Sequence, residues 1–219
     1  LLGIAQTGTG KTAAFAIPII QQLDQPRSKG QGREIKALIL TPTRELAIQI
    51  DECFGDYTRY TDVRHAVIFG GVNQRPQVDQ LKKGVDILTA TPGRLLDLIA
   101  QKHVSLDHIR HFVLDEADRM LDMGFWPSVR KIIGKLDKDR QTLLFSATIS
   151  GDIQNSIPSI LKDPATVEIA VSGKTADTVA QYIVPVIQGQ KSELLLHLLE
   201  DNRDKRVLVF CRTRHRVDS

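Results

Sequence analysis

Short apolar runs alternate along this chain with longer segments in which apolar residues recur at helical spacing. The run from Lys36 to Leu40 is typical of a buried strand, and the segment from Arg44 to Tyr60 is typical of an amphipathic helix. The same patterns predict strands at 66–69, 86–89, 112–114 and 142–145, and helices from 13, from 92 to 100 and from near 151. Apolar strands separated by helices predict an α/β fold, in which a parallel sheet is covered by helices on both faces.

A small, polar segment interrupts this pattern late in the chain and predicts a domain boundary. We assign 1–170 to a first domain, 171–178 to a linker and 179–219 to the beginning of a second domain. The second domain is predicted to contain a strand at 179–187, a helix at 191–200 and a strand at 207–210. Three elements are too few to bury a core, so this second domain is expected to be incomplete.

Composition excludes several classes of protein. Of the 219 residues, 42% are hydrophobic and 25% are charged, which are ordinary values for a globular protein, and no apolar run has the length of a membrane span. The net charge is +3, and the first 170 residues are close to neutral. Basic residues clearly outnumber acidic ones from Lys205 to Ser219, where either a nucleic-acid contact or a solvated helix face explains the bias. Cys53 and Cys211 are isolated, which predicts buried thiols and a reducing, cytoplasmic location.

A glycine-rich loop follows the apolar run at the start of the chain. Gly8 and Gly10 allow a tight turn in which successive N–H groups surround an anion, and phosphate is the expected anion. Gly10, Lys11 and Thr12 match the end of the pattern G-x-x-x-x-G-K-[ST], whereas Ala5 replaces its first glycine. The alternative is a glycine-rich turn with an exposed lysine. In the favoured interpretation, Lys11 reaches the β- and γ-phosphates and Thr12 binds Mg²⁺.

Carboxylates follow the predicted strand at 112–114. An unpaired buried charge is costly, so a metal is the expected reason for acidic residues at this place. Asp115 is predicted to hold the Mg²⁺ that Thr12 also approaches, and Glu116 to orient and deprotonate an attacking water. The alternative is that the carboxylates only form the acidic first turn of the next helix, where the helix dipole stabilises them.

Seven short motifs, in this order, carry a family resemblance. They are 5–12 (AQTGTGKT), 42–47 (PTRELA), 70–71 (GG), 91–94 (TPGR), 115–118 (DEAD), 146–148 (SAT) and 209–214 (VFCRTR). Together they resemble the DEAD-box ATP-dependent RNA helicases over essentially the whole chain, and the phrase at 122–125 (DMGF) resembles a bacterial, RhlE-like branch. The resemblance implies a RecA-like P-loop NTPase domain followed by the start of a second RecA-like domain.

The resemblance also implies ligands and roles. ATP is bound with Mg²⁺ by Ala5, Gln6, Thr7, Gly8, Thr9, Gly10, Lys11 and Thr12. RNA is bound without sequence preference by Pro42, Thr43, Arg44, Gly71, Thr91, Pro92, Gly93, Arg94, Thr213 and Arg214. Asp118, Ser146 and Thr148 couple the nucleotide state to domain closure, although the two hydroxyls are also explained as caps of the helix near residue 151. The expected outcome is local unwinding of RNA duplexes, in ribosomal or RNA-decay complexes and without a membrane.

Two features of the family are missing from the 219 residues: an adenine-recognition segment before the phosphate loop, and an arginine finger late in the second domain. We therefore expect this chain alone to bind nucleotide weakly and to hydrolyse almost none, because arginine fingers contribute about 10³ to 10⁵ in rate in related enzymes. Two alternatives remain open at this point. One is a nucleotide-gated RNA clamp or scaffold, and the other is a DNA helicase or translocase of the same superfamily.

Overall fold

The computed structural model describes residues 1–6, 8–26, 32–169, 180 and 182–211 of the chain. The chain divides into two compact units, Leu1–Gly173 and Lys174–Ser219. The linker predicted at 171–178 lies outside the described residues.

A seven-stranded sheet forms the centre of the first unit. Its strands are β1 (Leu2–Ile4), β2 (Ala37–Leu40), β3 (His65–Ile68), β4 (Ile87–Ala90), β5 (His111–Leu114), β6 (Gln141–Ser146) and β7 (Thr166–Glu168). They lie in the order β3-β4-β2-β5-β6-β1-β7, and every neighbouring pair is parallel. This confirms the predicted α/β fold with a parallel sheet.

Helices cover both faces of this sheet. They are α1 (Lys11–Leu23), α2 (Arg44–Thr58), α3 (Arg75–Lys82), α4 (Pro92–Ala100), α5 (Ala117–Asp122), α6 (Trp126–Ile133) and α7 (Gly151–Ile160). On one face, Phe15 of α1 and Phe54 of α2 pack against Ile39 and Val113. The other face packs against helices that include α4 and α6, through side chains such as Leu95. Because the strands are apolar on both sides, they read as continuous apolar runs in the sequence.

Strands β1 and β6 approach each other closely at one point. Gly3 is in register with Phe145, and a Cβ atom added to Gly3 would lie 2.5 Å from Cδ1 of Phe145. The Phe145 ring is 6% exposed and lies 5.7 Å from the Phe15 ring between centroids. A side chain at position 3 would have to displace this packed ring, and glycine avoids that displacement.

Two elements of the first unit were not predicted. Strand β7 is exposed at all three residues, and α3 is mostly polar, so neither carries a strong apolar pattern. Methionine and aromatic side chains lie at the corner between α5 and α6. Met120 and Trp126 are buried in the main core, whereas Met123 is 48% exposed.

The second unit contains a 3₁₀ turn (Gln188–Gln190) and helix α8 (Lys191–Glu200), and the predicted helix at 191–200 is confirmed. The predicted strands at 179–187 and 207–210 are wrong for the described residues, because 182–187 and 207–210 have no regular structure. A strand needs a partner for its backbone N–H and C=O groups, and neither described segment pairs with one. Their apolar side chains are consequently exposed, including Ile183 and Phe210.

Within the described part of the chain, no helix combines the length and the apolar character needed to cross a membrane. The expectation of buried thiols is wrong: Cys53, on α2, is half-buried and Cys211 is exposed. Isolated cysteines carry no pattern from which their burial can be predicted. Partial burial, followed by the nearby charges of Asp56 and Glu52, raises the pKa of the Cys53 thiol.

Candidate functional site

The predicted site residues of the first unit follow the carboxyl ends of six strands, and all six ends lie at one edge of the sheet because the strands are parallel. The sheet order sorts these residues into two groups. The segments after β5, β6 and β1, which are neighbours, carry the predicted nucleotide and coupling residues, and we call them the phosphate half. The segments after β3, β4 and β2, also neighbours, carry the predicted RNA residues, and we call them the arginine half.

The loop between β1 and α1 is built on two left-handed residues. Gly8 and Gly10 have φ values of 84° and 85°, which favour glycine, and Gly10 is the N-cap of α1. The N–H of Ala5 donates to the Ser146 carbonyl at 3.0 Å, which ties the start of the loop to the end of β6. Within the loop, the Thr9 hydroxyl donates to the Gln6 carbonyl at 2.7 Å. The loop therefore opens at the N-terminus of α1, where an anion is stabilised.

Lys11 and Asp115 form the central pair of the phosphate half. The Lys11 Nζ lies 3.9 Å from the Asp115 Oδ1, and the two side chains are only 10% and 5% exposed. Burial raises the pKa of Asp115 to about 6, although the nearby Lys11 ammonium opposes this shift. Thr12 is half-buried in the first turn of α1, and Thr7 lies outside the described residues.

Glu116 is held in an uncommon backbone conformation directly after Asp115. Its φ and ψ are 53° and 52°, in the left-handed region that residues with a Cβ rarely adopt. The Glu116 N–H donates to the Asp115 Oδ1 at 3.0 Å, and the Glu116 Oε2 accepts from the Arg119 Nη1 at 3.1 Å. The contact with Arg119 was not predicted from the sequence, although their i, i+3 spacing on a helix start is a signal for such a pair.

The structure brings Asp118, Ser146 and Thr148 together. The Asp118 Oδ2 accepts from the Thr148 hydroxyl at 3.0 Å and from the Thr148 N–H at 2.9 Å, and the Ala147 N–H donates to it at 3.2 Å. The Ser146 hydroxyl accepts from the Asp118 N–H at 3.2 Å and donates to the Thr148 carbonyl at 2.7 Å. The helix cap suggested as their alternative role is made instead by Ser150, which accepts from the Ile153 N–H. Strands β5 and β6 are thus joined beyond their ends.

In the arginine half, the segment after β2 presents one exposed cation. Thr43 is the N-cap of α2, and its hydroxyl accepts from the Leu46 N–H at 3.3 Å. Arg44 is exposed, with its guanidinium carbon 5.1 Å from the centre of the Phe69 ring. Pro42, directly before Thr43, is buried. Arg44 is therefore available to an anionic ligand while the ring of Phe69 limits its movement.

Arg94, on α4, lies mostly inside the arginine half. Its side chain is 10% exposed, and its Nη2 donates to the Val72 carbonyl at 2.9 Å. Its Nη1 donates to the Gln77 Oε1 at 3.2 Å, and its Nε lies 3.9 Å from Asp97. Most of its hydrogen-bonding capacity is thus used within the protein, so its direct effect is to hold the loop at Val72.

The remaining predicted residues of this half are small or cap a helix. Gly71 is exposed and has a φ of 79°, and Gly93 is exposed in the first turn of α4. Thr91 is the N-cap of α4, and Pro92 is its buried first residue. Exposed glycines leave the backbone accessible, which suits contacts from N–H groups to phosphate. Thr213 and Arg214 lie outside the described residues.

Sequence reasoning missed Gln77 and a cavity. Gln77, on α3, is 8% exposed, and its contacts join several parts of the arginine half. A cavity of about 340 Å³ adjoins the phosphate loop at Thr9, Gly10 and Lys11 and is otherwise lined mainly by apolar side chains, including Phe145. No sequence signal marks the cavity, because its lining comes from distant segments.

A divalent cation fits the donor set of the phosphate half. Among the described residues, no group of three or more histidine, cysteine, aspartate or glutamate side chains is arranged to hold a metal alone. Mg²⁺, however, is ordinarily held by one or two protein oxygens together with waters and substrate phosphates. Asp115 and Thr12 supply oxygens of this kind beside a loop that is suited to phosphate.

Comparison with known proteins gives one consistent result. Residues 1–157 match the model of the DEAD/DEAH box helicase family. The chain is 47% identical over 221 residues to the ATP-dependent RNA helicase RhlB of Pseudomonas syringae, and this match covers 99% of the chain and 56% of the relative. It is 44% identical to the ATP-dependent RNA helicase CshA of Limosilactobacillus reuteri, and that match covers 100% of the chain and 43% of the relative. The chain thus spans about half the length of these relatives. The RhlE-like assignment stays a prediction.

Solved structures agree with the sequence relatives. The crystal structure of a DEAD box protein from Methanococcus jannaschii is 37% identical, with a TM-score of 0.69, and the match covers 99% of this chain and 56% of that one. The crystal structure of a hypothetical ATP-dependent RNA helicase from Sulfolobus tokodaii is 36% identical, with a TM-score of 0.68, and the match covers 77% of this chain and 47% of that one. The fold described above is therefore shared with these proteins.

Proposed function

Because this chain belongs to the DEAD/DEAH box helicase family, we propose that it is the ATP-binding part, and the beginning of the second domain, of an ATP-dependent RNA helicase. Binding and hydrolysis of ATP would be coupled to sequence-independent binding of single-stranded RNA and to local separation of RNA duplexes. The observation that carries this proposal is the division of one sheet edge into a phosphate half and an arginine half.

ATP and Mg²⁺ would bind at the phosphate half. The left-handed Gly8 and Gly10 let the loop surround a phosphate, and the Lys11 ammonium is within reach of its charge. Mg²⁺ would be held by Thr12 and Asp115, and it would neutralise charge on the transferred phosphoryl group. The neighbouring cavity of about 340 Å³ has the size and apolar lining of a small-molecule site, which supports placing the nucleoside there.

Glu116 is proposed to orient the attacking water and to accept its proton. Its position next to Asp115, and the contacts that fix its backbone and carboxylate, support this role. Asp118, Ser146 and Thr148 are proposed to transmit the nucleotide state, since their hydrogen bonds join the segments after β5 and β6. These bonds would change together when the phosphate half rearranges.

RNA would bind along the arginine half. Exposed Arg44 supplies charge, and the accessible backbone at Gly71 and Gly93 supplies N–H donors for phosphates. Contacts to phosphate and sugar carry no base information, so we propose binding without sequence preference. Thr213 and Arg214 are proposed to add RNA contacts from the second unit. Ribosomal or RNA-decay complexes in the cytoplasm are the proposed setting.

The test is ATP hydrolysis with and without single-stranded RNA, with single-stranded DNA as the comparison. It should be run on this chain and on one extended at both ends to the length of the relatives. We expect RNA, but not DNA, to stimulate the extended chain, and almost no turnover by the 219 residues alone. Equal stimulation by DNA would favour a DNA translocase. RNA retention without strand separation would favour a clamp, and no response to either nucleic acid would contradict the proposal.

A further inference from the structure

Gln77 connects the separate parts of the arginine half. It is buried on α3, yet both atoms of its amide group are used. The Phe69 N–H donates to its Oε1 at 3.2 Å, and its Nε2 donates to the Phe69 carbonyl at 3.2 Å. The Gln77 amide thus pairs with both backbone groups of Phe69, as the backbone of a neighbouring strand would, directly after the end of β3.

The same amide oxygen also reaches α4. The Gln77 Oε1 accepts from the Arg94 Nη1 at 3.2 Å, while the Arg94 Nη2 donates to the Val72 carbonyl at 2.9 Å. The loop from Phe69 to Val72 is therefore fixed at both ends, by Gln77 at its start and by Arg94 at its finish. Gly70 and Gly71 lie between these anchors, and a Cβ atom added to either would meet no atom within 4 Å.

These glycines resist movement only weakly by themselves. Glycine has no side chain to pack and retains wide backbone freedom, so the direction of the N–H groups in this loop depends on the anchors. Phe69 adds a third connection, because its ring lies beneath the guanidinium of Arg44. Displacing the Phe69 backbone would therefore also displace the support of Arg44.

We infer that Gln77 is a positioning residue for RNA: it holds the Gly70–Gly71 backbone, Arg94 and, through Phe69, Arg44 in one arrangement that binds successive phosphates. This inference rests on the RNA-binding function proposed above. Gln77 itself touches no ligand in this scheme. Its effect is to hold the loop and the arginine side chains in place before RNA binds, which lowers the entropic cost of ordering them on binding.

The experiment compares Gln77→Met with Gln101→Met in the full-length protein. Methionine has a similar length but lacks the amide, so Q77M removes all three hydrogen bonds. Gln101 is the matched control: its amide exchanges two hydrogen bonds with Gln74, at the start of α3, and donates another to Asp97. The Gln101 side chain has no hydrogen bond with Phe69 or Arg94 among those of the described residues. Binding of fluorescein-labelled oligouridylate is measured by anisotropy with Mg²⁺ and a non-hydrolysable ATP analogue, beside separate titrations of that analogue.

We expect Q77M to weaken RNA binding about tenfold, the order of one lost contact to a charged group, and Q101M to bind like wild type. Affinity for the analogue should not change. The slope of the logarithm of RNA affinity against the logarithm of salt concentration should also be unchanged in Q77M, because no Lys or Arg is removed. Arg44→Ala should instead reduce the magnitude of that slope by about 1.

Thermal unfolding separates positioning from loss of the fold. If Q77M is unstable, Gln77→Glu replaces it: this variant keeps an acceptor for the Phe69 N–H and for Arg94, but it loses the donated bond and places a carboxylate oxygen against the Phe69 carbonyl, so RNA affinity is again expected to fall. Wild-type RNA affinity in the folded variant, or equal losses of RNA and nucleotide affinity, would overturn the inference alone. Failure of the wild-type protein to bind RNA would overturn the proposed function and this inference together.

Discussion

The Lys11 ammonium lies 3.9 Å from the Asp115 carboxylate, across the space between the ends of β1 and β5. Strand β6 separates these two strands in the sheet, so the pair forms only because all three end at the same edge. Each charge offsets part of the cost of burying the other. In the proposed function, a phosphate that enters this space would pair with Lys11, and a cation would pair with Asp115.

Replacing Lys11 with alanine should lower ATP affinity at least about tenfold, because the proposed contact between the ammonium and the phosphates would be lost. Isothermal titration with ATP and Mg²⁺ measures the change. Lys131→Ala, at an exposed position of α6, is the control and should bind as wild type does. Equal affinity of K11A and wild type would contradict the role proposed for Lys11.

Without ligands, the first unit should lose stability as the pH rises from about 4 through 6. The pKa of Asp115 is about 6 in the folded protein, against an ordinary value of 3.8, so the folded state binds the extra proton in this window. Stability from this group is therefore present at low pH and is lost as the carboxyl ionises. Asp115→Asn should remove this loss, of about 1–3 kcal/mol.

Urea unfolding in the presence of a chelator, at pH values from 4 to 7.5, measures that difference. The quantity to compare is the stability of D115N minus that of wild type, because the other titrating groups cancel. It should grow with pH until about 7. A difference that is independent of pH would show that Asp115 ionises in the folded chain as it does in water.

Replacing Glu116 with glutamine should trap the full-length protein on RNA in the presence of ATP. The amide cannot accept a proton from water, while its shape preserves binding. The rate of RNA release, measured by competition with unlabelled RNA, should fall at least about tenfold. Arg119→Ala is the comparison: it removes the partner of Glu116 but leaves the carboxylate, so release should continue. Unchanged release from E116Q would count against the assigned base.

Replacing Thr148 with alanine should separate hydrolysis from strand separation. The change removes the hydroxyl bond to Asp118, but the backbone N–H groups of residues 147 and 148 still donate to the same carboxylate. ATP turnover should therefore persist while unwinding of a short duplex slows severalfold. Ser150→Ala, which removes only the cap of α7, should leave the ratio of the two rates unchanged. Parallel loss of both rates in T148A would refute a coupling role.

Replacing Trp126 with phenylalanine should destabilise the first unit by about 1–2 kcal/mol. The indole N–H donates to the Ser156 hydroxyl at 3.0 Å in a buried setting, and phenylalanine cannot replace that donor. A double-mutant cycle with Ser156→Ala isolates the bond, and a coupling energy near zero would show that packing alone explains the loss.

The sequence predicted most elements of the first unit because their apolar patterns are strong. The helix at 92–100 agrees with α4 at both ends, since Pro92 suits the first position of a helix. The order of the strands was not predictable, because β1 lies between β6 and β7 through contacts that no local pattern encodes. The strands predicted in the second unit carried the same apolar pattern, but their described residues, 182–187 and 207–210, pair with no other described segment.

The site was predictable where backbone conformation or charge dictates the residue type. Gly8 and Gly10 predicted a tight turn, and both have left-handed backbone conformations. The position of Asp115 directly after a buried strand predicted a buried carboxylate. Gln77 was not predictable, because a glutamine on a polar helix gives no sign that its amide is buried. The sequence also did not indicate that the Arg94 guanidinium donates hydrogen bonds to Val72 and Gln77.

The contact between Gly3 and Phe145 predicts that substitutions at these two positions are linked. A side chain at position 3 meets the ring of Phe145, so alanine there requires the ring to shift or to be replaced by a smaller residue. A lineage that acquires alanine at position 3 is therefore expected to carry a smaller residue at position 145 more often than a lineage that keeps glycine. Covariation of these two positions among homologues would therefore be a historical record of the strand pairing beside the phosphate loop.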